Sequence, residues 1–125
     1  MVAIDSSALI AYLEGDQTPA ATAVGIVLGE HQACLPPVVL SELLSEPDLP
    51  AQVGALIKNL PLLEVTDGYW ERAGALSSKL IARKLKARLA DTLIAQSCLD
   101  HDVALVTTDR DFRHFVKYGK LRLLP

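Results

Sequence analysis

The stretch Ala104-Leu105-Val106-Thr107-Thr108-Asp109-Arg110-Asp111-Phe112 breaks an apolar run with two hydroxyls and then two carboxylates around an arginine. Residues 103–106 read as a buried strand, and residues 109–115 as a short helix, so the polar tail sits where a strand ends. The same order of events occurs at the other end of the chain. Val2-Ala3-Ile4 is a short apolar run that ends at Asp5, and Ser6 is a suitable N-cap for a helix reaching about Leu13. Between the two, helices are expected over residues 20–30, from Pro36-Pro37 to just before Pro47, and over 50–59, 68–82 and 90–100. Strands are expected at 33–35 and 62–65, with a last one at 121–124, and residues 83–89 read as a turn or frayed helix. Alternating strands and helices specify an α/β fold with a mostly parallel sheet. In such sheets the functional site lies beyond the carboxyl ends of the strands.

A chain of 125 residues is one domain, spanning 1–125, with half its residues apolar and few aromatics, so its core should be aliphatic. No apolar run reaches the length of a membrane span, and the opening MVAI is too short for a signal peptide and lacks a basic flank. The expectation is a cytoplasmic protein without a membrane partner. Cys34 and Cys98 are far apart and read as reduced, buried thiols, and His31, His101 and His114 show no ligand spacing. The net charge of −3 conceals a division. Residues 1–57 hold seven acids and no Lys or Arg, whereas residues 58–125 hold all twelve bases and eight acids. An acidic site beside a basic rim would suit a polyanion held by metal ions; intermixing of the charges on folding is the plainer alternative.

Asp5 and Asp109 each follow a strand and should project at the same rim of the sheet. Asp91 falls in the first turn of its helix, and Glu42 lies between the apolar pairs Val39-Leu40 and Leu43-Leu44. Each alone has an ordinary explanation as a turn, cap or solvated residue. Together they indicate a shared site. Clustered carboxylates raise one another's pKa and destabilise a fold unless something positive intervenes. A hard divalent cation with oxygen ligands, Mg²⁺ or Mn²⁺, removes that penalty, and no Cys–His set is present for zinc. Such an ion activates water and stabilises the leaving oxygen of a phosphodiester displacement.

Four segments occur in order: Asp5-Ser6-Ser7-Ala8-Leu9-Ile10; Ser41-Glu42-Leu43; Leu89-Ala90-Asp91-Thr92-Leu93-Ile94-Ala95; and Leu105-Val106-Thr107-Thr108-Asp109-Arg110-Asp111-Phe112. This set resembles the PIN-domain family, and particularly the VapC-like toxins of bacterial type II toxin–antitoxin pairs, over almost the whole chain. The resemblance implies a three-layer α/β/α sandwich with a central parallel sheet, and a Mg²⁺- or Mn²⁺-dependent endoribonuclease. It also implies that Asp5, Glu42, Asp91 and Asp109 form the acidic quartet, with Asp5, Asp91 and Asp109 as metal ligands. Thr107 matches the hydroxyl that orients metal-bound water, Asp111 matches an auxiliary acid whose use varies, and Ser6 is a further auxiliary group. A cognate antitoxin and a homodimer are implied as partners. Glu46, four residues after Glu42 on the same helix face, is its rival by periodicity.

Lys79, Arg83, Lys84, Lys86 and Arg88 crowd ahead of Asp91 with no acid among them. Arg83, Lys84, Lys86 and Arg88 are candidates for contacts to RNA phosphates, which give affinity without reading sequence. A solvated charged face is the plainer alternative. Two competing functions are a phospho-acceptor receiver domain and a PIN-like module that binds RNA or protein without catalysis. The receiver lacks its lysine after the last strand. A solitary RNA-processing nuclease without an antitoxin is a third.

Overall fold

The computed structural model describes residues 1–124. Strand β1 (Val2–Ile4) leads into α1 (Ser6–Leu13) and α2 (Pro19–Gly29), followed by β2 (Ala33–Cys34), α3 (Pro37–Leu44) and α4 (Ala51–Lys58). Then come α5 (Tyr69–Ile81), α6 (Leu89–His101), β3 (Ala104–Val106), a single 3-10 turn at Arg110–Phe112 and α7 (Arg113–Gly119). The sheet order is β2-β1-β3 and both pairings are parallel, with Ala3 opposite Cys34 on one side and Leu105 on the other. The fold is the expected three-layer α/β/α sandwich. The two strands expected at 62–65 and 121–124 are shorter than the apolar pattern suggests. Each is one parallel bridge, Leu35 to Leu62 and Leu105 to Leu123, which widens the sheet at either edge. Leu62 and Val65 are exposed, so only Leu63 of that run anchors inward.

The helices begin where local chemistry allows. Thr18 Oγ1 accepts the Ala21 N–H at 3.2 Å and Pro19 stands in the first turn of α2, while Pro37 opens α3. Gly68 precedes α5 with φ +82°, and the Arg72 guanidinium lies where a Cβ would be, 2.6 Å from its ideal position. Glycine suits this left-handed position, and any side chain there would displace the Arg72 guanidinium. Arg72 then pairs with Asp100 of α6 through Nη2 at 2.7 Å and Nε at 2.9 Å, and with Asp67 O through Nη1 at 2.8 Å, fastening α5 and the loop before it to α6.

The α6 helix is buried around most of its circumference, with Thr92, Ile94, Ala95, Gln96, Ser97 and Cys98 all enclosed. Its polar members are satisfied: Thr92 Oγ1 donates to Arg88 O at 2.9 Å, Gln96 Nε2 to Asp100 Oδ1 at 2.7 Å and Ser97 Oγ to the Tyr69 hydroxyl at 3.4 Å. The core is aliphatic as expected, built on Ile4, Leu9, Leu35, Ile57, Leu80 and Leu105, with the tilted pair Phe112 and Phe115 closing the α7 side. Truncating one of these leucines to alanine removes about 2–5 kcal/mol of stability. Cys34 and Cys98 are buried free thiols whose pKa values burial raises.

Two local expectations change. Asp5, not Ser6, caps α1: its Oδ1 accepts the Ser6 N–H at 2.8 Å. The last helix extends beyond residue 115, because the 3-10 turn over Arg110–Phe112 feeds directly into α7, which runs to Gly119.

Candidate functional site

The carboxyl ends of β1 and β3 lie side by side, and Asp5 N–H donates to Val106 O at 3.0 Å to continue their pairing. Asp5 is 4 % exposed, the only acid among the buried residues. A buried carboxylate is tolerated only if its lone pairs are engaged. Here they are. Asp5 Oδ2 accepts from Ser7 Oγ at 2.8 Å and from Thr107 Oγ1 at 2.7 Å, while Oδ1 takes the Ser6 N–H. Thr107 Oγ1 in turn accepts the Asp109 N–H at 3.0 Å, and Asp109 Oδ1 accepts the Asp111 N–H at 2.9 Å. Ser7 Oγ also accepts the Thr108 N–H at 3.1 Å. Two chain segments about a hundred residues apart are thereby fixed to one another.

Asp91 enters from the first turn of α6. One carboxylate oxygen each from Asp91, Asp109 and Asp111 lies within 4.8 Å of the others, the only such group of acids among the described residues. Burial first, and then the charges of Asp109, Asp5 and Asp111 against the pull of Arg88, push the Asp91 carboxyl up to about 6. Glu42 faces the same rim from α3, where Ser6 Oγ donates to its Oε1 at 3.4 Å. Partial burial and then the Asp5 charge raise its pKa, while the Ser6 hydroxyl lowers it. Glu46 lies beyond the end of α3, and its Oε1 accepts the Asp48 N–H at 3.2 Å. The donor set is all oxygen and its members repel one another, which suits a hard divalent ion.

A family model described as the PIN domain matches residues 2–118. The chain belongs to the PIN-domain family. PIN domains are generally divalent-metal-dependent nucleases, and the acidic cluster of this one is in place. Among solved structures, a chain of the VapBC2 complex from Rickettsia felis, crystallised bound to a DNA fragment from their promoter, superposes with a TM-score of 0.74. The alignment covers 99 % of this chain and 98 % of that one at 17 % identity, a likeness of fold. No curated protein matches the sequence.

Within this PIN domain the expected site residues divide. Asp91 and Asp109 stand in the close triad; the third member is Asp111, which the motif ranks only as auxiliary. Asp5 lies outside that group, with both oxygens already accepting hydrogen bonds. Sequence reasoning misses Ser7 as a site residue. Its signal is present, since a hydroxyl two residues after an acid at a strand end can return to that carboxylate.

The basic segment is a structured turn. Lys84 adopts φ +60°, the Leu85 N–H reaches back to Leu80 O at 3.1 Å and the Lys84 N–H to Ile81 O at 2.8 Å. These two bonds make a Schellman ending for α5, with lysine where glycine is usual. After it the chain alternates: Leu85 and Ala87 pack against the core, while Lys84, Lys86 and Arg88 face outward. The bases do not share one environment. The Arg83 guanidinium carbon lies 4.4 Å above the centre of the Tyr118 ring, whereas Lys86 Nζ reaches Asp111 Oδ2 at 3.5 Å.

Proposed function

We propose that this PIN domain is an endoribonuclease that hydrolyses RNA phosphodiester bonds with Mg²⁺ or Mn²⁺, and that it is the toxin of a toxin–antitoxin pair acting in the cytoplasm. The observation that supports this most is the convergence of Asp91, Asp109 and Asp111 at the ends of the sheet, directly beside the hydrogen-bonded Asp5.

In this proposal Asp91, Asp109 and Asp111 hold the divalent ion, with Asp5 completing the negative site from beneath. When bound, the ion supplies positive charge that polarises the scissile phosphate and lowers the pKa of the attacking water. Thr107 and Ser7 act as positioning residues: their protons are committed to Asp5 Oδ2, so they hold the carboxylate in one orientation. Thr107 is thus assigned to orienting the site, and any water it guides is guided through Asp5. Glu42, the exposed acid on the opposite lip, accepts a hydrogen bond from water at the rim. Ser6 aligns Glu42 through its hydroxyl. No side-chain nucleophile is needed, because the attacking group in this proposal is water. Lys84, Lys86 and Arg88, with Arg83 behind them, line the approach for RNA phosphates.

An antitoxin partner belongs to the same proposal, supported by the fold likeness to a chain of the VapBC2 complex, and a homodimer is added to it on the family resemblance alone. Purified protein should cut RNA with Mg²⁺ or Mn²⁺, stop in EDTA and stop in Asp5→Asn and Asp91→Asn. Cleavage persisting in both variants would sink the nuclease assignment, and absence of cleavage by pure, metal-loaded wild type would favour a binding module. A small overlapping reading frame upstream that encodes a DNA-binding protein supports the toxin assignment. Its absence favours a solitary RNA-processing nuclease.

A further inference from the structure

Among the bases before α6, only Lys86 touches the acidic triad, and the fold sets it there. Leu85 and Ala87 are both anchored on the core, so the backbone on either side of Lys86 is pinned and its side chain leaves toward Asp111. The Schellman turn at Lys84 fixes where that short segment begins. Arg83 is drawn off to Tyr118, and Lys84 and Arg88 form no ion pair among the described residues. Lys86 therefore meets an acid that, on the proposed function, is a ligand of the cation.

We propose that Lys86 is an exchangeable counter-charge: it neutralises Asp111 in the metal-free protein, yields Asp111 to the divalent ion, and then takes the RNA phosphate at that ion. The physical case has three parts. An ammonium and a divalent ion beside one carboxylate repel each other, so ion binding weakens the Lys86–Asp111 pair. The pair is long at 3.5 Å and its side chains are 52 % and 33 % exposed, so little holds it closed. A lysine is a compact charge on a flexible stem, able to swing by several ångström without backbone movement. The nearest new anion, once Asp111 is engaged, is a phosphate oxygen of the bound RNA. The inference rests on the proposed metal site and adds a coupling within it: metal binding should strengthen RNA binding through this one residue.

The test uses Lys86→Gln, Lys86→Arg and the neighbouring Lys84→Gln, in the full chain, with two readouts that need no turnover. In the first, Mn²⁺ is titrated calorimetrically without RNA. Lys86→Gln should bind the ion more tightly than wild type by about 3- to 10-fold, because a repelling charge has gone, whereas Lys84→Gln and Lys86→Arg should match wild type. In the second, binding of a fluorescent single-stranded RNA is measured in EDTA and in Ca²⁺. Wild type should gain affinity on adding Ca²⁺, and Lys86→Gln should lose several-fold of that gain while showing a clearly smaller defect in EDTA. Lys86→Arg should restore it. Equal Mn²⁺ affinity in wild type and Lys86→Gln, or an RNA defect of the same size in EDTA and Ca²⁺, would overturn the exchange and leave the metal site standing. A wild-type protein that binds no Mn²⁺ at all would remove the site and the inference together.

Discussion

Thr107 Oγ1 donates to Asp5 Oδ2 at 2.7 Å, a hydrogen bond between residues 102 positions apart in the chain. The same oxygen receives the Asp109 N–H, so one hydroxyl orients the buried acid that follows β1 and the loop that carries two of the three clustered acids. Replacing it with valine keeps the shape and leaves both partners short of a bond. Thr107→Val should lower metal affinity or cleavage by about 10- to 100-fold, as removing groups that support metal ligands commonly does. Thr107→Ser should retain most of both. Mn²⁺ titration together with an RNA-cleavage assay checks this, and indifference to Thr107→Val would deny the hydroxyl a positioning role.

Asp111 and Glu46 give a second comparison. Asp111→Asn removes a full negative charge from the triad and should weaken Mn²⁺ binding by about an order of magnitude. Glu46→Gln, whose acid is turned toward Asp48, should change neither metal binding nor cleavage. Calorimetry on both variants separates them, and the Asp111 effect should run opposite in sign to that of Lys86→Gln.

The acid cluster also sets a dependence on pH. Asp91 titrates at about 6 in the folded chain against an ordinary value of 3.8. Between those values the folded state binds a proton that the unfolded state releases, so stability declines as pH rises. The melting temperature of EDTA-treated protein should therefore fall on going from pH 4 to pH 6, relative to Asp91→Asn, and then level off. Saturating Mg²⁺ or Mn²⁺ should offset that decline by taking the place of the proton. Asp100, held below the ordinary carboxylate range chiefly by the Arg72 hydrogen bond, works the other way: its contribution is lost as acid protonates it at lower pH. Melting curves of wild type and Asp91→Asn without metal, showing identical pH dependence, would contradict the first assignment.

For the basic rim, every RNA phosphate that a variant no longer neutralises should flatten the plot of log affinity against log salt by about 0.7 for a single strand. Replacing Lys84 and Arg88 together should thus reduce the slope by about 1.4 in fluorescence-binding measurements. Arg83→Ala should cost about 0.5–1 kcal/mol of stability through its ring interaction with Tyr118, visible in thermal melts. A slope unchanged in the Lys84 and Arg88 double variant would return this segment to a solvated face.

The architecture was legible because apolar runs at 2–4, 33–35 and 103–106 alternate with helical periodicity, and a parallel sheet follows from that order. The edge pairings at Leu62 and Leu123 were overestimated for a definite reason. An apolar run reports the tendency to be buried, whereas ladder length depends on how far the neighbouring strand extends: β2, beside Leu62, has two residues, and β3, beside Leu123, has three. In the site, Asp5, Asp91 and Asp109 could be singled out from strand ends and a helix start. The grouping of Asp111 with Asp91 and Asp109 could not, since it depends on the 3-10 turn that Asp109 caps and so on a side-chain bond within the motif. Nor could the separate fates of Arg83 and Lys86, three residues apart, be told from a run of like charges; the left-handed turn at Lys84 divides them.

The central strand of the sheet is made first, and the partner that completes the acidic rim is made nearly last. On a ribosome adding about 5–20 residues per second, the stretch between Asp5 and Thr107 takes roughly 5–20 s to appear. During that interval the nascent chain carries its first acid without the hydroxyl that orients it or the two acids that follow. On the proposed function, a centre that needs both Asp5 and the residues after β3 cannot assemble until that late segment has left the ribosome, so a chain interrupted before it should hold no Mn²⁺.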